Sequence, residues 1–225
     1  VMGGNPSKFK SLDRPVEQVT WDDVRRFLAR LDERLPGLGL RLPSEAEWEY
    51  ACRAGTATPS SFGTNITAEQ INYNGDYPYA GGKTGPYRRE TVPVASLPAN
   101  PWGLYEMHGN VWEWCADGRR RYDSKAETDP LGPTGRGALH VLRGGSWIGS
   151  ARHVRSAFRN AGDPGSRNDG TGFRCARVQE GAEPRGAENG WAAAGRQAER
   201  RTATDRPGAT AAPVRPGGAP APAPR

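Results

Sequence analysis

Three cysteines and three histidines are the residues of this chain best suited to redox, nucleophilic or soft-metal chemistry. Cys52, Cys115 and Cys175 are odd in number and widely spaced, which is neither a disulfide framework nor a zinc pattern, and they read as three buried thiols. His108, His140 and His153 show no paired spacing on a helix and read as packing or surface residues. A harder chemistry is written between residues 106 and 113. Glu106 and Glu113 flank a Gly-Asn turn, and with the free carbonyls of Gly109 and Val111 they offer several oxygens to a hard cation, calcium being the natural candidate. Arg119, Arg120 and Arg121 form the one tight basic run. Without an aromatic platform or a grooved motif beside it, that run reads as a solvated loop and predicts no nucleic-acid partner, despite a net charge of +6.

The elements that must hold these residues are few. A high content of Gly (30) and Pro (20) argues against a helical bundle and for a loop-dominated fold. Two helices stand out. The first has Thr20 as N-cap, Asp22 and Asp23 in its first turn, an apolar face of Val24, Phe27, Leu28, Leu31 and Leu35, and Gly37 near its stop. The second runs from about Glu45 to Ala54 behind the capping box of Ser44 and Glu47, with Gly55 fitting a left-handed C-cap. Short strands are expected at Thr91 to Val94, Val111 to Trp114, Leu139 to Arg143 and Gly172 to Arg177. The predicted class is α+β: two helices on small antiparallel sheets, with most of the chain in long ordered loops. Trp21, Trp48, Trp102, Trp112, Trp114 and Trp147 are expected as core pillars, each with one N–H to satisfy. Gly144 and Gly145 predict a bulge or close backbone approach, and Arg143 is expected to pair with a carboxylate such as Glu113. No apolar run approaches the ~20 residues of a membrane span. From Gln179 to Arg225 there is no Leu, Ile, Phe or Tyr, so residues 179–225 are expected to be a disordered Ala/Pro/Gly/Arg-rich tail after a domain at 1–178.

Several phrases together are specific: NPSKF from Asn5, RPVEQVTWDDV from Arg14, RLPSEAEWEYACRAG from Arg41, NPWGLYEMHGNVWEW from Asn100, LRGGSW from Leu142 and GFRCAR from Gly172. The chain resembles the formylglycine-generating enzyme and sulfatase-modifying factor family, whose fold is a variant of the C-type lectin fold. That resemblance covers nearly all of residues 1–178 and implies an N-terminally truncated domain, which leaves localisation open. It implies calcium ligands at the Glu106 and Glu113 side chains and the Gly109 and Val111 carbonyls, and the start of a second site at Asn72 and the Tyr73 carbonyl. It also sets a test of activity. The family generates formylglycine with two cysteines shortly after the RGGS strand, which bind copper, and alignment on Arg143 to Trp147 puts Gly149 and Val154 there. Neither residue can ligate a metal or supply a thiolate, so no catalytic residue and no copper are expected.

Between two family-typical strands lies Ile148 to Thr171, IGSARHVRSAFRNAGDPGSRNDGT, which is polar, small and irregular. This stretch resembles the variable region of proteins diversified by retroelements, in which adenines of a template are copied with errors and Asn codons become any codon ending in C. Such codons never encode Lys, Glu, Gln, Met or Trp, and all five are missing here. They make up 31 of 225 residues overall, so their chance absence over 24 positions is on the order of a few per cent. The resemblance then implies a ligand-binding surface of Ile148, Gly149, Ser150, His153, Phe158, Asn160, Gly162, Asp163, Gly165, Ser166, Asn168, Asp169, Gly170 and Thr171, displayed on a rigid scaffold. Phe158 and His153 are its natural anchors. Arg152, Arg155, Ser156, Arg159 and Arg167 are expected to hold the scaffold. The expected partner is a protein or other macromolecule; the alternative is an oxidase acting on a thiol or a cysteine peptide.

Overall fold

In the computed structural model, which describes residues 1–133 and 137–177, the two expected helices are present and each starts on a complete capping box. Helix α1 spans Trp21–Arg34, with the Thr20 hydroxyl accepting from Asp23 N–H while the Asp23 carboxylate accepts from Thr20 N–H. Its face buries Trp21, Val24 and Leu28, and Leu35 already lies outside as an exposed C-cap. A short strand, β1 (Leu40–Arg41), leads into helix α2 (Glu45–Arg53). Ala54 closes α2 in the left-handed conformation (φ 46°), one residue before the expected Gly55, which also has positive φ. Reciprocal caps of this kind satisfy the orphan N–H groups that a short helix otherwise leaves to water.

Strands β2 (Trp112–Gly118), β3 (His140–Arg143), β4 (Asn160–Gly162) and β5 (Thr171–Gly172) form a four-stranded sheet in the order β4-β3-β2-β5, and β1 pairs with β6 (Ala176–Arg177) in a separate ribbon. The sheets are not wholly antiparallel: β2 and β5 run parallel, Trp112 opposite Thr171. The expected strand at Gly172 to Arg177 is thus two pieces serving two sheets. Thr91 to Val94 is not a strand, because its backbone bonds outward, Val92 N–H to the Asn110 side chain and Val94 N–H to Asp13 O. The run of Gly, Pro and Asn from 54 to 111 forms loops joined by isolated bridges, one of them Asn72 to Gly109.

Four of the six tryptophans act as pillars. Trp21, Trp48, Trp114 and Trp147 are buried, and each indole N–H reaches an acceptor: Cys115 O, the Glu113 carboxylate, Val19 O and Asp169 O respectively. Burying an indole with its N–H paired keeps the apolar gain without a desolvation penalty. Trp112 is half-buried and Trp102 is 47% exposed, edge-on to the exposed Tyr50, so neither is a core residue. Cys52 and Cys115 are buried free thiols, but Cys175 is exposed, because it sits between the two pieces β5 and β6. The expected tail at 179–225 lies outside the described residues.

Candidate functional site

The stretch after Trp147 is held by a few fully buried residues. Ala151, Val154 and Ser156 are each 0% exposed, and Val154 packs in a cluster with Ile66, Ile71 and Tyr73. Gly145 makes this possible: it adopts φ 76°, and a Cβ there would fall 2.6 Å from Val154 Cγ1, so the two chain segments touch backbone to side chain. Arg143 is the main bolt. Its side chain is 0% exposed, pairs with the carboxylates of Glu49 and Glu45, and donates to Ser156 O (2.9 Å) and Phe158 O (2.6 Å). The expected Arg143–Glu113 pair therefore does not form; the two residues face each other in register on β3 and β2, but Glu113 is held by Arg174 (Nη2, 2.7 Å) and Trp48 Nε1 (2.6 Å).

Of the residues expected on display, Ile148 (56% exposed), Asn160, Asp163, Gly165, Ser166 and Asn168 are exposed, and Gly149, Ser150, His153, Phe158, Gly162 and Asp169 are half-buried. Gly170 and Thr171 are buried and leave the set: Thr171 sits in β5, and its hydroxyl donates to Asn168 Oδ1 (2.9 Å). Gly162 also faces inward, since a Cβ there would meet Trp114 at 3.0 Å. His153 and Phe158 stand together, ring centroids 4.8 Å apart, and the Trp112 ring lies 6.0 Å from that of Phe158. Among the arginines expected to hold the scaffold, Arg159 pairs with Glu45 and Arg167 with Asp23 (2.7 Å). Arg152 is exposed and has no ion pair among the described residues, while Arg155 lies against the rings of Tyr79 and Phe158.

One contributor was not foreseen. The loop at Asn74 to Tyr79 is tied edge to edge with the stretch, Asn74 N–H to Gly149 O (2.8 Å) and Ala151 N–H to Tyr77 O (3.1 Å), and Tyr77 is 62% exposed beside it. The sequence signal was Tyr77-Pro78-Tyr79 inside a glycine-rich loop, two aromatics with no apolar partners at strand or helix spacing. The N-terminal segment reaches the same face: Lys8 Nζ binds Asp169 (2.6 Å), and Phe9 meets Trp147 edge-on. Glu17, 0% exposed, anchors that segment by accepting Phe9 N–H (2.8 Å), and burial raises its carboxyl above the ordinary range.

The residues do not fit a copper centre at the positions the family uses. Val154 is inside an apolar cluster, and Gly149 presents only a carbonyl that is already bonded to Asn74. The buried thiols do not replace them. Desolvation pushes the Cys52 thiol up to about 12, against a reactive thiolate, and the same burial brings His108 down to about 4. His108 is fixed as a structural residue, its Nδ1 2.7 Å from Val154 O and its Nε2 accepting from Ser61 N–H. His140 is stacked on Trp21.

For a hard cation the fit is partial. Glu106 lines a cavity of about 10 Å³ with Gln70, Asn100 and His108, room for one water or ion, but its oxygens accept from Ala95 and Leu97 N–H. Glu113 would have to release Arg174 to become a ligand. Asn72 Oδ1 is buried with no hydrogen-bond partner, beside the Gly109 bridge; Val111 is buried, and the Tyr73 hydroxyl donates to Ile66 O. Among the described residues no group of three or more His, Cys, Asp or Glu is placed to hold a metal, and no helix is long and apolar enough to cross a membrane.

Comparison with known proteins places this geometry. The solved structure of Treponema denticola variable protein 1 superposes with a TM-score of 0.66 at 31% identity, covering 78% of each chain. A serine/threonine-protein kinase, Pkn1 of Chlamydia caviae, is 38% identical over 72% of this chain, and a formylglycine-generating enzyme of Streptomyces coelicolor is 37% identical over 73%. The matches span 24% of the kinase and 52% of the enzyme, so the chain corresponds to a part of each. The family model described as the sulfatase-modifying factor enzyme 1-like domain matches residues 2–179, and the chain belongs to that family.

Proposed function

We propose that this domain is a non-catalytic display protein that binds a macromolecular partner through the face built from Ile148 to Asp169, as the variable proteins of diversity-generating retroelements do. The observation that carries the reading is the division of labour inside that stretch. Ala151, Val154 and Ser156 are sealed in the core while Ile148, Asn160, Asp163 and Ser166 stand in solvent, so the exposed positions can change without disturbing the fold. The absence of Lys, Glu, Gln, Met and Trp across residues 148–171 supports diversification by adenine-directed copying. Rigid presentation favours binding because fewer side chains and loops must be ordered on contact.

The test is the DNA flanking the gene. A near-copy of the sequence encoding Arg143 to Arg174, differing almost only at adenines and lying beside a reverse-transcriptase gene, is the expected finding; its absence within several kilobases sinks diversification. With a partner in hand, Phe158→Ala weakens binding while leaving the domain folded. The oxidase reading rests on the family alone. It requires copper uptake and thiol-dependent oxygen consumption, for which no cysteine stands between Cys115 and Cys175. Structural calcium at the site of Glu106, Gly109, Val111 and Glu113, or at the second one starting at Asn72 and Tyr73, belongs to the proposal as a stabiliser, and a rise in Tm with added Ca²⁺ is its signature.

A further inference from the structure

The stretch on display carries four arginines, and they divide into two kinds. Arg159 and Arg167 are spent on Glu45 and Asp23. Arg152 and Arg155 have no carboxylate within ion-pair distance among the described residues. Nearby negative groups are mostly committed: Asp169 to Lys8, and Asp163 to the N–H of Gly165; Asp76 is exposed but pairs with neither arginine. Arg155 is also fixed in place. Its guanidinium lies 5.7 Å from the Tyr79 ring centroid and 5.9 Å from that of Phe158, and its Nε donates to Arg152 O (3.0 Å). Both of its terminal nitrogens are left without a partner among the described residues. A planar, pre-positioned guanidinium whose two terminal nitrogens form one open edge matches a carboxylate, and little side-chain freedom remains to be lost on binding.

We infer that Arg155, assisted by Arg152, is the anion-receiving centre of the display face, and that it takes a carboxylate from an acidic peptide segment of the partner while Phe158 and Tyr77 take that segment's apolar side chains. The inference rests on the display reading above and names the chemistry of its partner. A protein is favoured over a nucleic acid by the charge count. Two arginines without ion pairs cannot supply the ~6–10 phosphate contacts that sustain binding to a duplex at physiological salt.

The test is a selection of random twelve-residue peptides displayed on phage, carried out on the full chain at 150 mM salt, with Arg155→Gln, Arg152→Gln and Phe158→Ala measured against each recovered peptide. Recovered peptides are expected to be enriched in Asp and Glu, and to bind at least about tenfold more weakly to Arg155→Gln, the size expected for one charge-assisted contact. Arg152 is exposed, so Arg152→Gln stays folded and is expected to give a smaller loss in the same direction. Peptides without acidic bias that ignore both arginine variants yet depend on Phe158 would overturn the inference and leave the display reading standing. Failure to recover any peptide dependent on Arg155 or Phe158 overturns both, and a duplex oligonucleotide that competes better than the acidic peptides overturns the choice of a protein partner.

Discussion

Replacing Arg143 with Met keeps most of the side-chain volume and removes the most deeply buried charged group that joins α2 to the stretch after Trp147. Arg143 is fully buried and contacts two carboxylates and two carbonyls, at Glu49, Glu45, Ser156 and Phe158. Removing one partner of a buried ion pair costs ~3–5 kcal/mol, because the remaining charge is left uncompensated. Two carbonyls losing their donors would add to this, while Arg159 still covers Glu45, so a net loss of about 4 kcal/mol is expected. With a urea slope of about 2 kcal/mol/M, the unfolding midpoint falls by roughly 2 M, readable by tryptophan fluorescence. Arg143→Lys should recover only part of the loss, since an ammonium cannot reach both a carboxylate and two carbonyls in one plane. The partly exposed Arg159→Met should cost about 1–2 kcal/mol. A midpoint shift of Arg143→Met corresponding to less than ~1 kcal/mol refutes the account of Arg143 as the bolt, and a double cycle with Glu49→Gln locates the coupling.

Further expectations concern other parts of the domain. Glu17 has its folded carboxyl raised above the ordinary 4.5 by burial, so the stability it contributes is full below that value and is lost as pH rises through the raised one. Glu17→Gln should therefore be more stable than the parent near pH 7, with the difference shrinking toward pH 4 in urea titrations; a constant difference contradicts the burial argument. A thiol reagent should react with one cysteine, Cys175, in the native protein and with all three in denaturant. Gly109→Ala should destabilise by ~2 kcal/mol or more, because φ is 80° and the new Cβ falls 2.3 Å from Asn72 O; a neutral effect in thermal melts would mean that this bridge moves freely.

Local rules carried the sequence reading where the signal was local. Thr20 and Ser44 announce both helices through their third-residue carboxylates, and Gly144 and Gly145 announce the close approach to Trp48 and Val154. Side-chain partners chosen across the fold were less legible. Arg143 and Glu113 face each other in register, yet β3 is buried on both sides, and Glu49 on α2 offers the shorter path. The split of Gly172 to Arg177 into two strands depends on β1, whose Leu40 and Arg41 pair with Arg177 and Ala176, and no local pattern records that pairing. The stretch proposed for display stands out in the sequence because its composition excludes five residue types. Its flank of Tyr77 and Tyr79 was not, because two backbone hydrogen bonds create it.

The sealing of Ala151, Val154 and Ser156 between solvent-facing neighbours has a practical meaning for protein engineering. Substitutions at separated surface positions add with little coupling, and most cost under ~0.5 kcal/mol. A combinatorial library randomised at Ile148, Ser150, Asn160, Asp163 and Ser166 should therefore consist mainly of folded members, whereas one that also randomises the three sealed positions should not. Selection from such a library would sample recognition chemistry rather than search for survivors of misfolding, which makes this face a graft site for new specificities.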